Sequence, residues 1–143
     1  MEVNNPNIIQ SYLNSTARNK IIFFRIDIPG IEPIDLGNKV AHSISKIVND
    51  KRLSFKAKLI IEDVLSSSMI KHDNYGKLLA ISNIGILFEP NLKIDIINLF
   101  DSYSTGTPLF VKWEGETGMG KLFLLSKQNG IKVELKNLSH III

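Results

Sequence analysis

Three short apolar runs, separated by segments with helical periodicity, are the feature of this chain that most constrains its fold. The runs begin at Ile21, Leu78 and Leu109. A strand that is apolar at consecutive positions is typical of a parallel sheet whose two faces are both covered by crossover helices. The alternation of strands and helices therefore predicts an α/β fold in three layers, with a mainly parallel sheet covered by helices.

The helices are predicted from apolar residues that recur at helical spacing. They cover residues 6–18, 35–50 and 92–103, and a further helix begins at residue 54. In that further helix the spacing places five apolar side chains toward the core: Phe55, Leu59, Ile60, Val64 and Leu65.

The C-terminal third carries only strand patterns. Residues 122–125 and 131–135 are predicted strands, joined through Asn129 and Gly130, a pair that favours a hairpin turn. A last apolar strand covers residues 139–143. These strands predict an antiparallel extension of the sheet, within a single domain that spans residues 1–143.

The composition argues against several classes of protein. The 17 Lys and Arg against 14 Asp and Glu give a net charge of +3, milder than the basic stripe of a dedicated nucleic-acid-binding protein. The chain has no cysteine, which excludes disulfides and thiolate zinc sites. It shows neither an apolar run of about 18 residues nor a signal-peptide pattern, so we expect no membrane segment and a cytoplasmic location.

Four cations lie close together where two predicted helices meet: Lys51, Arg52, Lys56 and Lys58. Such a group can contact the phosphates of a nucleic acid, and it can also be a solvated helix surface. The sequence leaves both interpretations open. The three histidines are far apart and have no metal-ligand spacing, so no metal site is predicted.

Residues 115–121 match the outline of a phosphate-binding loop, with Gly120 and Lys121 as the candidate nucleotide-binding residues. Such a loop needs backbone N–H groups at the start of a helix and a hydroxyl after the lysine. Leu122 occupies that position, and a strand pattern follows it. The simpler interpretation is a hairpin connection.

Glu134 and Lys136 are separated by one residue on a predicted strand, a spacing used by one class of metal-dependent nucleases. Side chains at this spacing share a face of the strand and can flank a metal ion and a water. That chemistry also needs an acid on a neighbouring strand. The alternative is a solvent-facing row that alternates with apolar residues.

Residues 83–95, followed by a strand that ends in Trp113 and Gly115, carry the most specific pattern in the chain. The matching positions are Asn83, Ile84, Ile86, Leu87, Phe88, Pro90, Leu92, Lys93, Asp95, Leu99, Trp113 and Gly115. In this pattern the chain resembles the small P-loop protein of BREX-type phage-defence systems, the BrxF-like family. The resemblance covers roughly half of the chain.

The chain departs from that family at both nucleotide-binding motifs. Ser82 stands where a P-loop hydrolase carries its magnesium-holding acid, after a buried strand. Residues 25–33, after the first strand, contain one glycine and no Gly-Lys-Ser/Thr sequence. The resemblance therefore implies a degenerate P-loop-like core with no catalytic residues and no cofactor.

The function that the resemblance implies is a non-catalytic binding or assembly module, a subunit or accessory of a prokaryotic anti-phage defence complex. Its partner-binding candidates are Asn83, Lys93 and Asp95, expected at the carboxyl edge of the sheet, where open α/β sheets bind their ligands. The expected partners are other defence-system proteins. A homodimer is also expected from the apolar terminal strand, which would otherwise be an open edge. A nucleic-acid-binding module and a metal-dependent nuclease remain the alternatives.

Overall fold

The computed structural model describes residues 5–113, 116–118, 121–123, 132–135 and 138–143. The α-helices are α1 (Asn5–Leu13), α2 (Leu36–Ser45), α3 (Leu53–Ser67) and α4 (Ile96–Ser102). The strands are β1 (Ile21–Phe24), β2 (Ile34–Asp35), β3 (Ile70–His72), β4 (Gly76–Ser82), β5 (Leu109–Lys112), β6 (Glu116–Gly118), β7 (Lys121–Phe123), β8 (Lys132–Glu134) and β9 (His140–Ile142). Two 3-10 helices, Ile84–Phe88 and Pro90–Leu92, lie between β4 and α4.

The main sheet contains six of the described strands. β2, β4, β5, β1 and β9 lie side by side in that order and all run parallel. β3 pairs antiparallel with the first half of β4 and forms a hairpin with it, which the sequence patterns did not reveal. The predicted mainly parallel sheet is confirmed, and the three strands on which the prediction rested are its central ones.

The C-terminal strands β6, β7 and β8 form a second, antiparallel sheet of three strands. The predicted antiparallel extension is therefore present as a sheet of its own. The last strand, β9, was expected to be part of that extension, but it pairs in parallel with β1, with Ile141 opposite Ile22. It begins at the same end of the sheet as β1, where the Ser139 hydroxyl bonds the backbone N–H and carbonyl of Asn19 at 2.7 and 2.9 Å.

The two faces of the main sheet are covered by different elements. Because alternate residues of a strand point to opposite faces, β1 directs Ile21 and Phe23 to one side and Ile22 and Phe24 to the other, and all four are fully buried. Helices α2, α3 and α4 cover the first side. Helix α1 and the loop of residues 25–33 cover the second, so the predicted three-layer arrangement is confirmed.

Helix α3 buries only part of the set that the spacing predicted: Leu65 is buried, and Ile60 and Val64 pack against the core while remaining partly exposed. Ala57, Ile61 and Leu65 face the core, whereas Phe55 and Leu59, both predicted to be inward, are 51% and 50% exposed. Apolar residues occur on both sides of this helix, so periodicity alone cannot choose between them. The small side chain of Ala57 permits the close approach between elements that the larger Phe55 would prevent.

Helix α4 begins four residues later than the spacing predicted. The positive φ of Lys93, 53°, lies in the left-handed region and interrupts the helical path after the second 3-10 helix. Asp95 then caps α4, since its carboxylate accepts a hydrogen bond from the backbone N–H of Asn98 at 3.1 Å. Leu92, predicted to open the helix, ends the 3-10 turn instead.

A buried polar cluster joins the starts of β1 and β9 to the end of α4. The Asn19 side chain donates to the carboxylate of Asp101 at 2.8 Å and to the hydroxyl of Ser104 at 3.0 Å. Asn19 and Ser104 are buried, so these bonds satisfy groups that would otherwise be costly to remove from water. The cluster fixes β9 beside β1 at the amino end of the sheet.

A buried histidine holds the loop after β1 against the β3–β4 hairpin. His72 Nδ1 accepts hydrogen bonds from the backbone N–H groups of Asn74 and Tyr75 at 3.0 and 3.3 Å. Its Nε2 lies 3.0 Å from the carbonyl oxygen of Pro29 and therefore carries the ring proton. Gly30 follows with a φ of 80°, and a Cβ atom there would lie 2.8 Å from His72 Nε2.

The substitution Gly30→Ala tests this contact. We expect it to lower the free energy of unfolding by about 2–3 kcal/mol, because it adds a left-handed alanine and a steric clash with a ring that three backbone groups hold in place. Urea denaturation followed by circular dichroism measures the change.

Two other glycines are matched controls for this substitution. Gly76 has a φ of 74° but open space around its Cβ position. Gly76→Ala therefore lowers the free energy of unfolding only by the cost of a left-handed alanine, about 1–2 kcal/mol. Gly85 has open space and no positive φ, so Gly85→Ala should change stability by less than about 0.5 kcal/mol. Equal effects of Gly30→Ala and Gly76→Ala would contradict the role assigned to His72.

Candidate functional site

The exit of β4 is joined to the start of α2 by polar contacts. Asn83 adopts the left-handed conformation, with a φ of 52°, and its side-chain amide donates to the Asp35 carboxylate at 2.7 Å. Its carbonyl oxygen accepts from the backbone N–H of Gly37 at 3.1 Å. A Cβ atom at Gly37 would lie 2.5 Å from the Asn83 amide nitrogen, so the two segments approach as closely as a glycine allows.

Asp35 is the centre of this junction. It caps α2 by accepting a hydrogen bond from the backbone N–H of Asn38 at 3.0 Å. That bond first, and the amide of Asn83 second, hold the pKa of Asp35 below its ordinary value. Beside it the Ser82 hydroxyl donates to the carbonyl oxygen of Ile34 at 3.1 Å. Asn83, a predicted partner-binding residue, thus makes its side-chain hydrogen bond within the chain.

The other two partner-binding candidates, Lys93 and Asp95, lie at a cleft between α3 and α4. The cleft has a volume of about 170 Å³. Its lining residues are Ser54, Lys58, Ile61, Glu62, Lys93, Ile94, Asp95, Asn98, Leu99 and Ser102. Lys58, predicted only as part of the basic group, therefore joins Lys93 and Asp95 at one site.

The chemistry of this cleft is mixed. Its wall is apolar where Ile61 and Leu99 are buried, and its rim carries the exposed cations Lys58 and Lys93. Among the residues that the structure describes, neither lysine lies within ion-pairing distance of a carboxylate. An apolar floor with two unpaired ammonium groups suits a ligand or partner segment that presents carboxylates beside an apolar side chain.

The predicted basic group does not form one continuous surface. Lys56 pairs with Asp50 at 2.6 Å, and this bond is the main reason why the pKa of Asp50 is lowered, followed by a bond from the backbone N–H of Arg52. Lys58 lies at the cleft instead. Lys51 and Arg52 remain exposed at the turn before α3. Nothing in the sequence indicated that Asp50, the last residue of the predicted helix, is the partner of Lys56.

A further contact bridges β1 and β5 at their carboxyl ends. The chain leaving β1 covers one face of the sheet, whereas Trp113, which follows β5, packs on the other. Where the segments after two neighbouring parallel strands go to opposite faces of the sheet, an open α/β sheet forms a ligand crevice. Here the Lys112 ammonium and the Asp27 carboxylate lie 3.1 Å apart across it. The pair could not be recognised in the sequence, because only the strand order brings its members together.

The remaining candidates lie in the C-terminal region. Gly120 and Lys136 lie outside the described residues. Lys121 starts β7, and its register partner on β8 is Glu134, which is exposed. The neighbouring strand thus places a lysine, rather than the acid that the nuclease scheme needs, opposite Glu134. Within the described ranges no group of three or more His, Asp or Glu side chains is placed to hold a metal ion.

The comparisons with known proteins identify no relative. No protein-family model, curated protein or solved structure matches this chain. Within the described part of the chain, no helix combines the length and the apolar character needed to cross a bilayer.

Replacing Asn83 by alanine tests the junction between β4 and α2. We expect Asn83→Ala to lower the melting temperature by about 2–6 °C, because it removes the bond to Asp35 and leaves an alanine in the left-handed conformation. Differential scanning calorimetry at pH 7 measures this. Asn91→Ala is a matched control and should leave the melting temperature unchanged. Asn91 is exposed, and its side chain makes no hydrogen bond to any residue that the structure describes.

The same variant has an expected signature in acid. A carboxyl group whose pKa is lower in the folded chain contributes stability above its unfolded pKa, and that contribution is lost as the pH falls through the folded pKa. For Asp35 this loss occurs below about pH 4. Asn83→Ala removes one of the causes of the shift, so its melting temperature should fall less steeply below that pH. An identical slope in both proteins would contradict the bond.

Proposed function

We propose that the chain is a non-catalytic, P-loop-like binding module that serves as a subunit or accessory of a prokaryotic anti-phage defence complex. The resemblance of residues 83–95 to the BrxF-like family suggests the biological setting. The fold agrees with the three-layer parallel sheet that such a core requires. The cleft between α3 and α4 is the surface that we assign to a partner protein.

The observation that carries the proposal is the arrangement at the exit of β4. In a P-loop hydrolase an acid at this position holds the magnesium ion of the nucleotide. Here Ser82 donates its hydroxyl to Ile34, and Asn83 holds Asp35 at the start of α2. The polar side chains at this end of the strand are thus used to join two segments of the chain, which supports a structural role for them.

The segment after β1 supports the same conclusion. A phosphate-binding loop in a P-loop protein opens a helix whose N-terminal N–H groups hold the phosphates. Residues 25–33 contain no helix and connect β1 to β2, with Ile28 and Ile31 buried against the sheet. The segment therefore packs against the core and offers no helix N-terminus to a phosphate.

A partner protein fits the cleft better than a nucleic acid does. Lys58 and Lys93 supply positive charge, but Glu62 and Asp95 share the same lining and offset it, so the cleft lacks the net positive charge on which the affinity for a nucleic acid mainly depends. A protein segment can place an apolar side chain against the floor and a carboxylate near either lysine. The proposed partner surface is therefore one of mixed apolar and acidic character.

The direct test is co-purification with the products of the genes beside the one that encodes this chain. We expect a complex that the double substitution Lys58→Glu and Lys93→Glu weakens at least tenfold, because each change places a carboxylate where the partner presents one. Lys39→Glu with Lys71→Glu is the matched control, since both lysines are exposed and neither lines the cleft. Absence of any complex, or equal weakening by both pairs, would contradict the proposal.

The response to nucleotide is a second test. We expect Mg-ATP at millimolar concentration to leave the melting temperature unchanged, since a ligand that bound the native chain would raise it. Differential scanning fluorimetry is the measurement. Hydrolysis of ATP at enzyme-like rates, lost in Lys121→Ala, would overturn the non-catalytic assignment.

A further inference from the structure

Helix α3 presents a stripe of residues to solvent along the side opposite the core. The stripe consists of Arg52, Phe55, Leu59, Asp63 and Ser66, which we call the α3 seam. The first of these directly precedes α3, and the residues are three or four positions apart, the spacing that places side chains on one side of a helix. The buried residues Ala57, Ile61 and Leu65 lie on the other side.

The centre of the α3 seam is apolar and exposed. Phe55 and Leu59 are 51% and 50% exposed, and because they are one helical turn apart they form a joint patch rather than scattered apolar residues. The Arg52 guanidinium lies 4.8 Å from the centre of the Phe55 ring. This contact positions the cation beside the patch. An apolar pair with a charged border is typical of a contact surface.

The charges along the α3 seam have opposite signs at its two ends. Arg52 is at the amino end and Asp63 toward the carboxyl end. Within the described part of the chain, Arg52 and Asp63 form no ion pair with each other or with any other side chain. Arg18 does form an ion pair, but at another place in the fold. A helix with this polarity is complementary to itself only when a second copy runs in the opposite direction.

We propose that the α3 seam is a homodimer surface, occupied by the α3 seam of a second copy of this chain in antiparallel orientation. A two-fold axis near the middle of the Phe55–Leu59 patch brings the two patches together. The same axis places Arg52 of each copy beside Asp63 of the other, so both ion pairs form at once. Parallel pairing would instead oppose Arg52 to Arg52 and Asp63 to Asp63.

Other occupants fit this surface less well. A nucleic acid would meet Asp63 on the same stripe as Arg52, and the like charge of its phosphates disfavours that contact. An unrelated protein would need a matching reversed pattern, which a second copy supplies by symmetry. The dimer does not depend on the proposed function, since that function uses the cleft between α3 and α4 rather than the α3 seam.

The dimer should be weak and sensitive to salt. A contact made mainly by one helix from each copy buries less than the roughly 1,200 Å² that marks the lower limit of standard stable interfaces. The two ion pairs lie at its border, where added salt screens them. The association is therefore expected to depend on protein concentration and to weaken as the ionic strength rises.

Sedimentation equilibrium of the full chain tests the dimer through charge reversal. Arg52→Glu places Glu against Asp63, and Asp63→Arg places Arg against Arg52, so each variant alone should dimerise at least tenfold more weakly than the original protein. An equimolar mixture of the two variants restores both ion pairs between unlike copies. That mixture should therefore dimerise with an affinity close to the original.

Two further variants complete the test. Phe55→Ser should also weaken dimerisation at least tenfold, because it removes half of the apolar patch. Lys39→Glu, an exposed charge reversal on α2, should leave dimerisation unchanged. Circular dichroism melts confirm that every variant remains folded, so that a loss of association is not a loss of structure.

Four results would overturn the inference. The first is a protein that stays monomeric over a roughly hundredfold concentration range at low salt, and the second is a dimer that neither charge reversal weakens. The third is failure of the mixed variants to associate better than either alone. The fourth is binding of a poly-dT oligonucleotide by a monomeric protein, lost in Arg52→Glu, which would assign this surface to nucleic acid instead.

Discussion

Burial of β1 on both faces is the constraint on which the rest of this structure depends. Its four residues are apolar and completely enclosed, with β5 on one side and β9 on the other. A strand of this kind cannot lie at a surface, so both faces of the sheet must be covered. Helices α2, α3 and α4 cover one face, and α1 with residues 25–33 covers the other.

The same constraint explains the character of the carboxyl edge. The segment after β1 is required to cover the second face, where Ile28 and Ile31 are buried. The apolar residues of this segment are therefore used for packing. In the same way, the Asn83 side chain is used to bond Asp35 at the neighbouring strand exits. The same edge also carries the ion pair of Lys112 with Asp27. Further exposed groups lie in the cleft that Lys58 and Lys93 line and on the outer side of α3. The proposed binding function uses these helix surfaces rather than the strand ends.

Several parts of the structure were predictable because they depend on local patterns. The three central strands follow from continuous apolar runs, and helices α2 and α3 follow from apolar residues at helical spacing. The β3 strand was not predictable, since its three residues alternate in burial over too short a span. The candidate site was also only partly predictable, because short segments of sequence do not show which residues meet in the folded chain. The sequence identified Lys93 and Lys58 as separate candidates, but their meeting depends on how α3 packs against the segment before α4.

The sequence by itself determined a mainly parallel sheet covered on both faces, because apolar runs and helical periodicity are properties of short segments. Only the tertiary structure decided which side of α3 is buried, since Phe55 and Ala57 both belong to apolar stripes and the choice depends on the shape of the neighbouring surface. It also decided that Lys56 is paired with Asp50 and that Asn83 reaches Asp35. These pairings join residues brought together by chain reversals and strand order, which no local pattern encodes.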